Sequence, residues 1–190
     1  MLWDRRLLGA SATAATARGY GLDPDLVHSY KPGDVWPLTL TDAQRAIATA
    51  LCDLILPADG FSPSASSLGV PDFIDEWISA PYPDQRRDRD VILEGLAWID
   101  AEANRRFGMG FANAGHSERT AICDDICDPA AVSPGLARAA QFFDRFRTIT
   151  TGGFYTTPEG MKDIGYVGNV PLAGFDGPPR ELLQRLGIEE

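Results

Sequence analysis

The chain has 190 residues, 44% hydrophobic and 23% charged, the balance of a soluble globular protein long enough to bury a core of its own. A net charge of −10 repels phosphate backbones and anionic headgroups, which argues against nucleic acid as a partner and favours an apolar, polar or basic protein surface. Three cysteines, Cys52, Cys123 and Cys127, are too few for a disulfide scaffold and leave at least one thiol unpaired within the chain.

The first 17 residues read as an export leader. Arg5 and Arg6 precede Leu7-Leu8-Gly9-Ala10 and a run of small residues that ends at Ala15-Thr16-Ala17. A charged start, a soft apolar window and an Ala-x-Ala exit are the parts of a signal segment. Paired arginines in front of a weakly apolar core mark the twin-arginine type, which carries folded cargo. The plainer reading is a basic turn followed by an Ala-rich helix. The segment falls far short of the roughly twenty apolar residues that cross a bilayer, so no direct membrane span is expected. Without residues 1–17 the chain keeps 15 basic and 26 acidic residues, a net of −11.

Residues 18–40 carry Pro24, Pro32 and Pro37 among glycines and aspartates and are expected to form an extended arm. A helical domain is expected over 41–150. Thr41 and Gln44 have the spacing of a capping box, and Ile47, Ala50, Leu51, Leu54 and Ile55 follow at helical intervals until Pro57. Residues 58–69 are turn formers. Pro71 suits a helix start, with Phe73, Ile74, Trp77 and Ile78 forming a short apolar stripe behind it. The longest helix is predicted over Asp84 to Phe107, stopped by Gly108 and Gly110, with its charge run Arg86-Arg87-Asp88-Arg89-Asp90 read as a solvated surface.

A fourth helix is predicted from Ser117 through Cys127, and a fifth from Ser133-Pro134, with Ser as cap, through Ile149. No segment alternates as a strand would, so the fold class is all-α. Residues 151–190 are expected to be an irregular segment with a short terminal helix, because glycines and prolines interrupt it throughout. Phe154, Tyr155, Tyr166 and Phe175 are too apolar for a solvated tail. Such a segment packs on its own body or supplies the aromatic anchors of an interface; both together is the favoured reading.

Catalytic chemistry is hard to assemble from these residues. His28 lies in the arm and His116 just before a helix start. No Cys or His set has zinc spacing, and no phosphate loop, dinucleotide fingerprint or Gly-x-Ser-x-Gly elbow occurs. Asp124, Asp125 and Asp128 read as solvated carboxylates rather than a cation site. A Cys52 bridge to Cys123 or Cys127 stands against three buried thiols, while Cys123 and Cys127, four apart on a helix, bridge poorly.

The paired arginines, the block Leu54-Ile55-Leu56-Pro57-Ala58-Asp59 and the block Gly69-Val70-Pro71-Asp72-Phe73-Ile74 together resemble the gluconate 2-dehydrogenase subunit 3 family. The resemblance continues through Thr151-Gly152-Gly153-Phe154-Tyr155-Thr156-Thr157 and Gly165-Tyr166-Val167-Gly168-Asn169, and so covers most of residues 41–179. It implies a small helical subunit of a periplasmic FAD-dependent sugar or polyol dehydrogenase. The flavin and catalytic His would lie in a large subunit of the glucose–methanol–choline type, and a multihaem cytochrome c subunit would receive the electrons. The ending from Ile164 to Leu172, then Phe175-Asp176-Gly177-Pro178-Pro179, resembles the branch associated with glucoside 3-dehydrogenases.

The resemblance brings no catalytic, cofactor-binding or metal-binding residue to this chain. It implies an export role for Arg5 and Arg6, and a docking role for the carboxy-terminal segment with Phe154, Tyr155, Tyr166, Asn169 and Phe175. Localisation would be periplasmic, with any membrane association made through the complex. The expected function is a non-catalytic accessory subunit that exports and stabilises the flavin-bearing chain. The alternatives are a stand-alone periplasmic enzyme using His116 with Cys123 or Cys127, and a helical module for an unrelated partner.

Overall fold

The computed structural model describes residues 30–168, 174 and 177–188. Among these, seven α-helices and three short 3-10 turns form an all-helical body with no strand. Helix α1 is Asp42–Ile55, α2 Val70–Ser79, α3 Pro83–Phe107, α4 His116–Asp124, α5 Ala137–Tyr155, α6 Pro158–Asp163 and α7 Arg180–Arg185. No helix among the described residues is long and apolar enough to cross a membrane.

Local signals set most of the helix ends. Thr41 and Gln44 form the expected reciprocal box: Gln44 N donates to Thr41 Oγ1 at 3.3 Å and Thr41 N to Gln44 Oε1 at 3.0 Å. Gly108 closes α3 at φ 71°, a left-handed conformation that a side chain resists. Two starts differ from expectation. Ser133 makes no side-chain cap; Pro134–Leu136 is a 3-10 turn, and α5 begins at Ala137. Helix α4 opens at His116 and closes at Asp124, so Cys127 lies beyond it.

Helix α3 is the central element, packed against α5, α2, α1 and α4. Where it meets α5, Gly95 lets the Phe142 ring lie on its backbone; a Cβ there would sit 1.9 Å from that ring. Leu51, Ile74, Ile78, Ile92, Leu96, Ile99, Phe111, Ile122, Ile126, Phe142 and Phe146 fill the core between the helices. Burying side chains of this size contributes roughly 1.5–3 kcal/mol each to holding the bundle together.

The charge run on α3 is only partly a solvated surface. Asp88 is buried and receives Trp77 Nε1 at 2.8 Å and Arg145 Nε at 2.7 Å. Arg89 caps the carboxy-terminal end of α2 through the carbonyls of Ile78, Ser79 and Ala80. Both contacts satisfy groups that burial would otherwise strand.

The described part of the arm, residues 30–40, lies along α2. The fully buried carboxylate of Asp75 accepts from Thr39 N at 2.9 Å, Leu40 N at 3.0 Å and Arg45 Nη2 at 2.7 Å. Glu76 receives Gly33 N on its carboxylate at 2.9 Å and Trp36 Nε1 on its backbone carbonyl at 3.2 Å. The Trp36 ring meets Tyr82 edge-on.

Candidate partner-docking surface

The carboxy-terminal segment is more regular than its glycines imply. Helix α5 runs through Gly152 and Gly153 to Tyr155, five residues past the boundary expected from sequence. Gly153 faces α2, where a Cβ would sit 2.6 Å from the Phe73 ring, so the missing side chain is what lets Phe73 close over the helix. Continued helical geometry turns Phe154 inward beside Thr150, and its side chain is 2% exposed. The expectation that Phe154 faces a partner is therefore corrected: it belongs to this chain's own core.

Phe154 nevertheless sets up the surface that follows. Its carbonyl accepts from Thr157 N at 3.0 Å and Thr157 Oγ1 at 2.7 Å, which folds the chain back at the end of α5. Thr157 then caps α6, receiving Gly160 N at 3.0 Å. Gly160 lies on the same carbonyl so closely that a Cβ would be 2.1 Å from the oxygen. Helix α6 is thus seated on the end of α5, with Tyr155 half-buried beside Phe154 in an edge-on contact at 5.1 Å.

Two glycine stops aim the apolar side chains outward. At the end of α6, Tyr166 N donates to Met161 O at 2.8 Å and Gly165 N to Lys162 O at 3.0 Å, with Gly165 at φ 66°. At the end of α7, Ile188 N donates to Leu183 O at 2.9 Å and Gly187 N to Gln184 O at 3.1 Å, with Gly187 at φ 68°. Both are Schellman ends, in which the residue after glycine leaves the helix axis. Tyr166 is 58% exposed and Val167 82%, and Ile164, Leu182, Leu186 and Ile188 are exposed with them. An open groove of about 550 Å³ runs beside Met161, Tyr166 and Val167.

Of the residues expected at an interface, Tyr166 is exposed, Tyr155 half-buried and Phe154 buried. Asn169 and Phe175 lie outside the described residues, as do Arg5, Arg6 and His28. Leu182, Leu186 and Ile188 were not singled out from sequence. Their signal was the i, i+4 pair Leu182 and Leu186, ended by Gly187.

The structure brings His116, Cys123 and Cys127 to one groove of about 300 Å³ with Thr120 and Phe143. Burial pushes the Cys123 thiol up to about 12, so it holds almost no nucleophilic thiolate near neutral pH. Cys127 Sγ donates to Asp124 O at 3.4 Å. All three cysteines are free, and burial likewise raises Cys52 to about 12 beside Thr150. Asp125 pairs with Arg106, and Asp128 accepts from Ala130 N within its turn. Among the described residues no group of three or more His, Cys, Asp or Glu is placed to hold a metal ion.

The site is therefore one end of a helical body that presents exposed apolar side chains. Residues 42–177 match the family described as Gluconate 2-dehydrogenase subunit 3, and the chain belongs to that family. Membership places it among the accessory subunits of dehydrogenase complexes. No curated protein and no solved structure matches it.

Proposed function

We propose that this chain is the non-catalytic small subunit of an FAD-dependent sugar or glucoside dehydrogenase, stabilising a larger subunit of the glucose–methanol–choline type. The observation that carries the reading is the exposure to solvent of Ile164, Tyr166, Val167, Leu182, Leu186 and Ile188. Six such residues follow a well-packed core, and family membership supplies a larger catalytic chain as the surface to cover them. The flavin and the catalytic His belong to that larger chain, and a c-type haem subunit takes the electrons.

Arg5 and Arg6 give the complex its twin-arginine address, and the assembled, flavin-loaded pair is the folded cargo delivered to the periplasm. An acidic body suits this role, since it discourages adhesion to anionic lipid.

The test is co-expression of this chain with a large flavin oxidoreductase of the glucose–methanol–choline type from the same genome. The large subunit is expected to be soluble, flavin-loaded and active only when both are made. A large subunit that is equally soluble, loaded and active alone would overturn the proposal.

A further inference from the structure

The α1–α2 loop ends in an aromatic ring held almost wholly in water. Phe61 is 96% exposed, more than Tyr166 or Val167. The loop beneath it is tightly tied. Asp59 Oδ1 accepts from Phe61 N at 2.7 Å and Ser62 N at 2.8 Å, and Asp59 N donates to Ser62 O at 3.0 Å. Those donors hold the Asp59 carboxyl below the usual carboxylate range. Lower down, Ala65 N donates to Leu56 O at 2.9 Å, and Asp53 receives Ser66 N at 2.8 Å and Ser66 Oγ at 2.7 Å. An ordered loop that exposes a whole phenyl ring loses little entropy when that ring is covered.

Placement gives the ring a partner. Cys52, near the end of α1, touches Thr150 of α5 at 3.9 Å, and Phe73, near the start of α2, lies on Gly153. The α1–α2 loop therefore sits at the end of the bundle where α5 finishes and α6 begins. Helix α6, which Tyr166 and Val167 follow, is seated on that end of α5. Residues 60–71 contain no charged side chain, nor do residues 164–168, in a chain that is 23% charged. The charges nearest these aromatics are Asp59, whose carboxylate is tied to the loop backbone, and Lys162 beside the Tyr166 groove; the rings themselves stand in charge-free stretches, as at an interface centre.

We infer that Phe61 is a second anchor for the large catalytic subunit, inserting into an apolar pocket of the same partner face that covers Tyr166 and Val167. This rests on the proposed subunit role. Two anchors from separate segments fix the orientation of the partner as well as its attachment, which a single flexible tail cannot do.

The test uses the full chain in complex with its large flavin subunit. Phe61→Ala is expected to weaken association about tenfold to thirtyfold with the helical circular dichroism unchanged. A photoreactive benzoyl-phenylalanine placed at position 61 is expected to cross-link to the large subunit. If Tyr166→Ala weakens the complex while Phe61→Ala does not, and position 61 gives no cross-link, the second anchor is refuted and the subunit role stands. A cross-link from position 61 to another copy of this chain refutes the anchor as well. If neither substitution changes association, both the anchor and the docking role of the carboxy-terminal segment fall.

Discussion

Arg145 of α5 grips the buried carboxylate of Asp88 in α3 with both Nε and Nη2, and Trp77 of α2 donates to the same group. Three helices meet at this one side chain. Burial raises the Asp88 pKa, but the hydrogen bonds from Arg145 and Trp77 and the nearby guanidinium charge outweigh it and leave the group below its ordinary value. A carboxyl with a depressed folded pKa stabilises the fold above its unfolded value and loses that contribution as pH falls through the folded one. Glu102, held to about 2 chiefly by Arg105, with Arg106 adding to it, acts in the same direction.

Stability is therefore expected to fall as pH drops below about 4. Asp88→Asn keeps the shape but removes the charge, and because Arg145 is partly exposed the expected loss is about 1–2 kcal/mol at neutral pH. Urea unfolding at pH 7 and pH 3 checks this. The variant should lose less stability than the wild type over that interval, and equal losses would remove Asp88 from the account.

Phe154 and Tyr166 should behave as opposites. Phe154→Ala opens a core cavity and is expected to cost about 3–5 kcal/mol, seen as a large drop in the urea midpoint. Tyr166→Ala should leave the midpoint nearly unchanged and weaken binding to the large subunit. Circular dichroism and pull-down on the same preparations separate the two effects. A Tyr166 variant that unfolds while its folded fraction binds fully would make that ring part of the core.

Two helical glycines are expected to differ in sign. Gly95→Ala places a methyl 1.9 Å from the Phe142 ring and forces α3 and α5 apart, an overpacking cost of about 1–3 kcal/mol. Gly152→Ala meets nothing within 4 Å and removes backbone freedom from the unfolded chain, a gain of about 0.4–1 kcal/mol. Thermal unfolding of the pair distinguishes steric demand from chance composition.

Replacing Arg5 and Arg6 together by Lys should retain this chain and its large partner in the cytoplasm, since an ammonium does not reproduce the planar donor fork of guanidinium. Fractionation checks it, with dehydrogenase activity read in each compartment. Normal periplasmic activity in the double variant would disprove the address.

What the sequence determined alone was local: which residues start, stop and face inward on a helix. The Thr41–Gln44 box, the Gly108 stop and the α1 stripe ending in Ile55 depend on neighbours three or four residues away, and so are visible in the order of residues. Family resemblance was legible for the same reason, as short ordered blocks from Leu54 to Asn169. Tertiary structure decided the rest. Nothing near Arg86-Arg87-Asp88-Arg89-Asp90 tells which carboxylate will meet Trp77 and Arg145, because the partners lie 11 and 57 residues away. Phe154 and Tyr166 stand in equally glycine-rich surroundings. Only the closure of Phe73 over Gly153 and the seating of Gly160 on the Phe154 carbonyl send one ring into the core and the other into solvent.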